Sequence, residues 1–504
     1  MQQRCLYAAV CAAVSVCWLP LSRAFVAPAF RRSAAASPRS TTLWSSLDSQ
    51  LYVRVPDIDK VAAESSVYVR GRLHAFRSKG NSCFLVLRQS GGSTVQACLF
   101  KDTEDPERSK ELLKFLKSIP EESIIDIQGT VKPARVSSCT QKNVEIHILS
   151  AHLVSSCTQQ LPFSVRDAAR SPAEVMESQE TERPIPVIGQ DLRLDHRWLD
   201  LRTPANQAIM RVKAHMASAF RQQLIQAGFV EIFSPKLVPG QSEGGAEVFR
   251  TDYFGQQVCL AQSPQLYKQM AISSDLDRVF EIGPVFRAEK SRSRRHLCEF
   301  TGLDLEMSIL HTYQEALLLV YNVLQRMFED AEASLGDLLA TVREQYPSEP
   351  LLLTDEPVIL TYKDALQLLR SAGESMSDFD DLSDEQEQKL GRIVHDEYGT
   401  DLFAVDQYPR SLRPFYTMPS DTDADYSNSY DLFLRGQEIA SGAQRINNPA
   451  QLKQAMDSGG LPTDSPSIQA YIKSFEHGCP PHAGAGLGLD RIATLFLGLD
   501  NASP

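Results

Sequence analysis

Arg287 and Glu289 stand two residues apart where a β-rich run, Gly283-Pro284-Val285-Phe286, gives way to a basic loop. The loop carries Lys290, Arg292, Arg294, Arg295 and His296, and an apolar run with interspersed acids, Phe300 to Met307, follows it. Two strands joined by such a loop can lay a forked guanidinium on a phosphate with a carboxylate beside it. The plain alternative is a solvated charge run. A second group lies downstream: Asp431, Glu438 and Ser441, with Arg445 beyond them. A turn at Arg435-Gly436-Gln437 lets Asp431 and Glu438 converge with Ser441 on a hard cation, since magnesium takes oxygen ligands and few from protein. Arg445 can fork onto a carboxylate. Near the C-terminal end, the glycine-rich run Gly484-Ala485-Gly486-Leu487-Gly488-Leu489-Asp490-Arg491 precedes an apolar helix. Bare backbone accepts a flat ligand, and Arg491 at a helix start favours phosphate. A dinucleotide-binding turn is the rival for this run, but the strand–helix–strand unit it needs has no room before the chain ends. Two more loops invite ligands. Ser242-Glu243-Gly244-Gly245-Ala246 puts a carboxylate beside a flexible pair of glycines, and can equally be a surface turn. In Gln262-Ser263-Pro264-Gln265-Leu266-Tyr267-Lys268, Ser-Pro starts a helix that sets Gln265 and Lys268 on one face; a salt-bridged surface lysine is the alternative.

These groups need rigid supports. Alternation at Val67, Val69, Gly71 and Leu73, then at 83–87, 95–99, 124–131 and 144–153, predicts five short strands with a helix over 110–116. That pattern suits a closed oligonucleotide-binding (OB) barrel, with an SH3-like barrel or a sandwich as alternatives. The polar, proline-containing stretch 162–190 reads as a hinge. A larger mixed domain follows, with helical periodicity over 206–227 (Ile209, Val212, Met216, Phe220, Leu224) and further helices expected over 312–345, 360–373 and 384–398.

The bulk composition fits this division. A chain of 504 residues, 43% hydrophobic and 23% charged, holds two or three globular domains. A net charge of -12 argues against unspecific coating of nucleic acid but leaves room for a local basic groove. The ten cysteines show no zinc spacing and read as reduced thiols. At the N-terminus, a short apolar stretch over 6–21 and an acid-free Arg/Ser-rich segment reaching Thr42 read as a targeting presequence rather than a membrane span. A signal-like stretch followed by a transit-like one resembles the two-part presequence of plastids of secondary origin. A mitochondrial presequence is the second reading, and a cytosolic protein with a misplaced start the third.

Together the loops carry a resemblance. Phe286-Arg287-Ala288-Glu289 with Arg295-His296-Leu297 and Glu299-Phe300 resembles motif 2 of the class II aminoacyl-tRNA synthetases, and Gly486 to Arg491 resembles motif 3. The helix from Asn206 with Phe229-Val230-Glu231-Ile232-Phe233-Ser234-Pro235 resembles motif 1. Within the class, Ser242 to Gly245, Gln262 to Lys268, Phe300 to Asp304 and Ser441 to Arg445 are similar to the aspartyl-tRNA synthetases of eukaryotic and archaeal type. After the presequence at 1–45, the resemblance implies an α+β chain: a five-stranded OB-fold anticodon-binding β-barrel at 46–158, a hinge at 159–195, and at 196–504 a class II antiparallel sheet flanked by helices. It implies ATP and Mg2+ as cofactors, L-aspartate and the tRNA for aspartate as partners, a homodimer built on motif 1, and no membrane contact in the mature form.

The roles it implies are specific. Arg287, Glu438 and Arg491 are the catalytic set. Arg287, Ala288, Glu289, Arg295, His296, Leu297, Glu438, Gly488, Leu489, Asp490 and Arg491 hold ATP. Glu243, Gln265, Lys268, Arg287, Ser441 and Arg445 hold aspartate, with Lys268 and Arg445 on its side-chain carboxylate. A neutral amide there would leave both cations unpaired, which favours aspartate over asparagine. Asp431, Glu438 and Ser441 form the magnesium site. Phe84 stacks an anticodon base while Gln96 and Glu145 read base edges.

Three departures stand out. Asp490 occupies a position where relatives carry Glu. A lysine-rich N-terminal arm is replaced by the presequence. The chain stops at Pro504, soon after motif 3, which implies a shortened C-terminal end. The rival to an active enzyme is a synthetase-like relic that binds RNA or nucleotide without charging tRNA.

Overall fold

The computed structural model describes residues 52–80, 82–240, 247–288, 297–458 and 466–499. Five strands, β1 (Ser66–Lys79), β2 (Ser82–Arg88), β3 (Thr94–Leu99), β4 (Ile124–Pro133) and β5 (Val144–Ser155), close into a barrel in the order β1-β2-β3-β5-β4. The period-two pattern explains it: Val67, Val69, Leu73, Leu85, Val95 and Ile127 point inward and are buried. Helix Pro106–Ser118 joins β3 to β4, capped by Asp105, whose carboxylate accepts from Arg108 N at 3.1 Å. Leu116 of that helix belongs to the barrel core. Closure with a helix between the third and fourth strands selects the OB-fold over the alternatives.

The stretch expected as a hinge has structure of its own. Short helical segments run over Val165–Ala168, Pro172–Ser178, Gln190–Asp195 and Arg197–Asp200. Ser171 and Glu174 form a capping box, and Phe163, Ala168 and Leu199 make a small core. These five capping and apolar positions thus outweigh the polar average that suggested a linker.

The large domain is built on an eight-stranded sheet of β6 (Val230–Glu231), β10 (Arg278–Phe286), β11 (Glu299–Ser308), β12 (Ile359–Thr361), β13 (Leu402–Asp406), β14 (Ser429–Leu434), β15 (Gln437–Gln444) and β16 (His482–Gly488). The order is β12-β13-β14-β15-β16-β11-β10-β6. A separate small sheet holds β7 (Leu237–Val238), β8 (Arg250–Tyr253) and β9 (Gln256–Leu260). The centre of the large sheet is antiparallel as expected, but its two edge pairs, β12 with β13 and β10 with β6, are parallel. Both parallel pairs are joined by long crossovers containing helices, as parallel pairing requires.

Strand alternation gives the sheet two faces. Leu303, Leu305 and Met307 pack with Ala485 and Leu487 beneath the Pro204–Gln226, Gln314–Ser334 and Leu489–Phe496 helices. Val212, Met216, Phe220 and Leu224 supply the first helix's buried stripe. Asp304 and Glu306, with Gly484, Gly486 and Gly488, therefore face the other way, and the site opens there.

The barrel touches the Pro204–Gln226 helix directly. Gly91 N donates to Gln207 Oε1 at 2.5 Å. Glu122 accepts from Arg88 at 2.8 Å and from Arg202 at 2.7 Å, which pins the barrel to the segment leading into that helix. Among the described residues no helix is long and apolar enough to cross a membrane.

Candidate active site

A cavity of about 380 Å³ lies on the open face of the sheet. Arg287, immediately after β10, lines it with Leu297, Gln265 and Phe300. Arg287 is fixed by its backbone N–H, which donates to Cys298 O at 2.9 Å, and its guanidinium lies 5.4 Å from the Phe300 ring. The Ala288 N–H donates to Glu247 O at 2.9 Å. Glu243, Glu289, Arg295 and His296 fall outside the described residues.

Behind the cavity four ionised groups are interleaved. Arg445 Nε donates to Glu306 Oε1 at 2.9 Å and its Nη2 to Glu306 Oε2 at 3.2 Å. Lys268 Nζ donates to Asp304 Oδ1 at 3.1 Å, Ala485 O at 3.2 Å and Leu305 O at 3.4 Å, and lies 3.5 Å from Glu306. Burial opposes the Glu306 charge, but Arg445 and Lys268 outweigh it and hold its carboxyl below the usual glutamate range. Burial likewise opposes the Arg445 charge, and Glu306 raises its pKa instead.

Glycines make this packing possible. A Cβ on Gly484 would lie 2.3 Å from Glu306 Oε2, and one on Gly486 would lie 3.2 Å from Asp304 Oδ1.

This arrangement alters the sequence-based picture of the pocket. Lys268 and Arg445 are not two unpaired cations, because each already holds an acid. The three ammonium hydrogens of Lys268 are engaged, so it braces the acids from behind. Arg445 lines the cavity, and Nη1 is the guanidinium nitrogen that Glu306 leaves unused. Gln265 also lines the cavity, and its buried Nε2 has no hydrogen-bond partner among the described residues. Asp304 and Glu306 were not assigned roles from sequence. Their signal was available, in acids alternating with Leu303, Leu305 and Met307 on a buried strand.

The structure brings Asp431, Glu438 and Ser441 together. The β14–β15 turn has positive φ at Arg435 (49°) and Gly436 (69°), which sets Asp431 and Glu438 on one face. Ile439 is an extra, bulged residue between Glu438, opposite Phe433, and Ala440, opposite Leu432; it slides Ser441 opposite Asp431. Burial and then the nearby Asp431 charge push the Glu438 carboxyl up to about 8. Two carboxylates and a hydroxyl are the donor set a hard cation takes. Among the described residues no group of three His, Cys, Asp or Glu side chains is placed to hold a metal. Arg413, which no sequence pattern marked, forks onto Asp431 at 2.9 and 2.7 Å and reaches Ser441 Oγ at 3.0 Å.

At the far end, Gly488 precedes the Leu489–Phe496 helix, and Arg491 Nη1 donates to Glu438 O at 2.9 Å. Gly488, Asp490 and Arg491 line the cavity, whereas Leu489 turns into the core. Asp490, the short acid, pairs with Lys213 and accepts from Thr301 N at 2.8 Å.

The barrel presents a second constellation. Gln96 and Glu145 are register partners on β3 and β5, and Gln96 Nε2 donates to Glu145 Oε2 at 2.9 Å. Cys98 Sγ and His147 Nε2 also reach this carboxylate, at 3.2 and 2.9 Å. Phe84 meets the half-exposed Phe100 edge-on, with centroids 6.1 Å apart.

Comparison with known proteins follows the same division. The family "tRNA synthetases class II (D, K and N)" matches residues 189–503, and "OB-fold nucleic acid binding domain" matches residues 67–154. The chain is 47% identical over 453 residues to the cytoplasmic aspartate–tRNA ligase of Caenorhabditis elegans, covering 89% of this chain and 84% of that one. For the cytoplasmic aspartate–tRNA ligase of Homo sapiens the identity is 44%, covering 90% and 88%. Among solved structures, the aspartyl-tRNA synthetase of Entamoeba histolytica superposes with a TM-score of 0.81 at 39% identity, covering 96% of this chain and 97% of that one. The asparaginyl-tRNA synthetase of Pyrococcus horikoshii complexed with asparaginyl-adenylate gives 0.73 at 27%, covering 87% and 93%. Both halves of the chain are matched in order, and identity to the aspartate enzymes is well above that to the asparagine enzyme, so the chain belongs to the class II tRNA synthetases, in the family of aspartate–tRNA ligases.

Proposed function

We propose that this protein activates L-aspartate with ATP and transfers it to the 3' end of its tRNA. The observation that carries the reading is Arg445, held by Glu306 with one guanidinium nitrogen left for an anion at the cavity wall. That nitrogen binds the aspartate side-chain carboxylate; Asp304 and Gln265 flank it and suit the ammonium and carboxyl ends. In the first step the α-carboxylate oxygen attacks the α-phosphorus and diphosphate departs. In the second a terminal ribose hydroxyl attacks the acyl carbon, loses its proton, and AMP departs. Arg287 bridges carboxylate and α-phosphate, and Arg491 neutralises the γ-phosphate. Both act by position and charge, with no side-chain nucleophile. Asp431, Glu438 and Ser441 would hold Mg2+, which when bound supplies charge neutralisation on the phosphates. Glu243, Glu289, Arg295 and His296 keep their proposed roles toward aspartate and ATP on the strength of the family motifs. Phe84, Gln96 and Glu145 are the proposed anticodon readers.

A homodimer is supported by exposed apolar side chains beside the motif 1 strand, including Val230, Phe233 and Leu237. Residues 1–45 are proposed as an organellar presequence, plastid before mitochondrion; the Caenorhabditis elegans and Homo sapiens relatives are cytoplasmic enzymes. Imaging a fusion of residues 1–45 tests this, and a purely cytosolic signal overturns it.

ATP–diphosphate exchange tests the activity. Exchange with aspartate alone is expected. Exchange with asparagine or lysine instead would overturn the pocket assignment, and exchange with no amino acid would leave a relic that binds without charging.

A further inference from the structure

The groups that suit a divalent ion are already held by a cation of the protein's own. Arg413 follows a short 3-10 turn, Arg410–Leu412, on the irregular segment between β13 and β14. Both of its terminal nitrogens are committed to Asp431, and one also reaches Ser441 Oγ. Its guanidinium carbon lies 3.8 Å from the Tyr408 ring centroid. Its side chain is 9% exposed, and its buried Nε has no hydrogen-bond partner among the described residues. A guanidinium that leaves one buried donor unsatisfied while committing both terminal nitrogens to one carboxylate is held by charge more than by fit.

We infer that Arg413 is a resident counter-cation of the Asp431–Ser441 pair and competes with the divalent ion for it. The inference rests on the proposed magnesium site. A divalent ion needs at least one Asp431 oxygen. The fork covers both, and two cations a few ångströms apart in a buried site repel strongly. Loading the ion therefore requires Arg413 to leave Asp431. Arg413 also lines the cavity, so the displaced guanidinium stays beside the space that the anionic substrates fill. The ligand-free enzyme accordingly binds the metal weakly and keeps Asp431 paired until metal and nucleotide arrive together.

The test is Mn2+ binding to the ligand-free protein, read by loss of the free-ion electron paramagnetic resonance signal, in wild type, Arg413→Gln, Arg413→Lys and Asp431→Asn. Arg413→Gln is expected to bind Mn2+ at least about tenfold more tightly than wild type, since it removes a competing charge. Arg413→Lys, a cation without the fork, should fall between them, and Asp431→Asn should bind most weakly. Thermal unfolding supplies a second readout. Arg413→Gln should lose stability without metal and regain more of it with Mn2+ than wild type does. Equal affinity in wild type and Arg413→Gln, with Asp431→Asn weaker, would overturn the competition and leave the metal site standing. Equal binding in all four proteins would overturn both.

Discussion

Arg445 and Glu306 form a two-pronged ion pair, Nε to Oε1 at 2.9 Å and Nη2 to Oε2 at 3.2 Å, on neighbouring parts of the sheet and almost out of reach of solvent. The pair fixes the guanidinium that lines the cavity. Replacing Glu306 by Gln leaves two buried cations, Arg445 and Lys268, sharing one acid. We expect a loss of about 3 kcal/mol or more in unfolding free energy, together with a raised KM for aspartate and nearly unchanged ATP binding. Urea titration and equilibrium nucleotide binding check this. A Gln variant as stable as wild type would mean that the pair contributes no net charge stabilisation.

Glu438 sets a pH dependence. Its carboxyl is pushed from 4.5 up to about 8 by burial and by Asp431. A group whose folded pKa lies above its unfolded value stabilises fully below the unfolded value, and that contribution is lost as pH rises through the folded value. The ligand-free protein should therefore lose thermal stability as pH rises from about 4.5 to about 8, and Glu438→Gln should flatten the profile. Parallel profiles for the two proteins would contradict the assignment.

Glu122 ties the barrel to the large domain. Burial opposes its charge, but His74, Arg88 and Arg202 outweigh burial and hold it at about 2, against 4.5 for a free glutamate. At about 1.4 kcal/mol for each tenfold change in proton affinity this corresponds to about 3 kcal/mol, present above the unfolded value and lost as pH falls from 4.5 towards 2. Glu122→Gln should remove that acid-side loss, and a double-mutant cycle with Arg202→Gln should give a coupling of about 1 kcal/mol or more. Additive single effects would show that the contact does not join the domains energetically.

Phe84→Ala should weaken tRNA binding by about 1–3 kcal/mol, the usual worth of a base stacked on an aromatic ring. ATP–diphosphate exchange with aspartate should not change, because among the described residues no barrel residue lines the cavity. A variant with wild-type tRNA affinity would remove Phe84 from the anticodon site.

Residues on regular elements were the legible ones. Val67, Val69 and Leu73 announced the barrel by alternation, and Val212, Met216 and Phe220 announced the long helix by their spacing. The convergence of Asp431 and Glu438 could be argued from one turn, whereas the Ile439 bulge that aligns Ser441 could not, since nothing in residue type marks it. Arg413 was invisible for a related reason: its segment has no period, and its partner is eighteen positions away in sequence. Lys268 was placed on the right helical face, but its depth depends on Asp304, Leu305 and Ala485, which come from other strands. The parallel edge strands were missed because each is only two or three residues long, too short to show any pattern.

The Pro204–Gln226 helix meets the barrel at Gln207 and the motif 3 end of the cavity at Lys213, which pairs with Asp490. At 1.5 Å of rise per residue those contacts are about 9 Å apart along one stiff rod. Gly91 and Gly92 leave it little play: a Cβ on Gly91 would meet Arg211 at 2.9 Å and one on Gly92 would meet Pro204 at 3.1 Å. The helix is thus a lever with one arm under the barrel and the other beside the residue next to Arg491. A rigid contact thus joins the barrel to the Asp490 end of the cavity without running through residues 156–203, which connect the two domains in sequence.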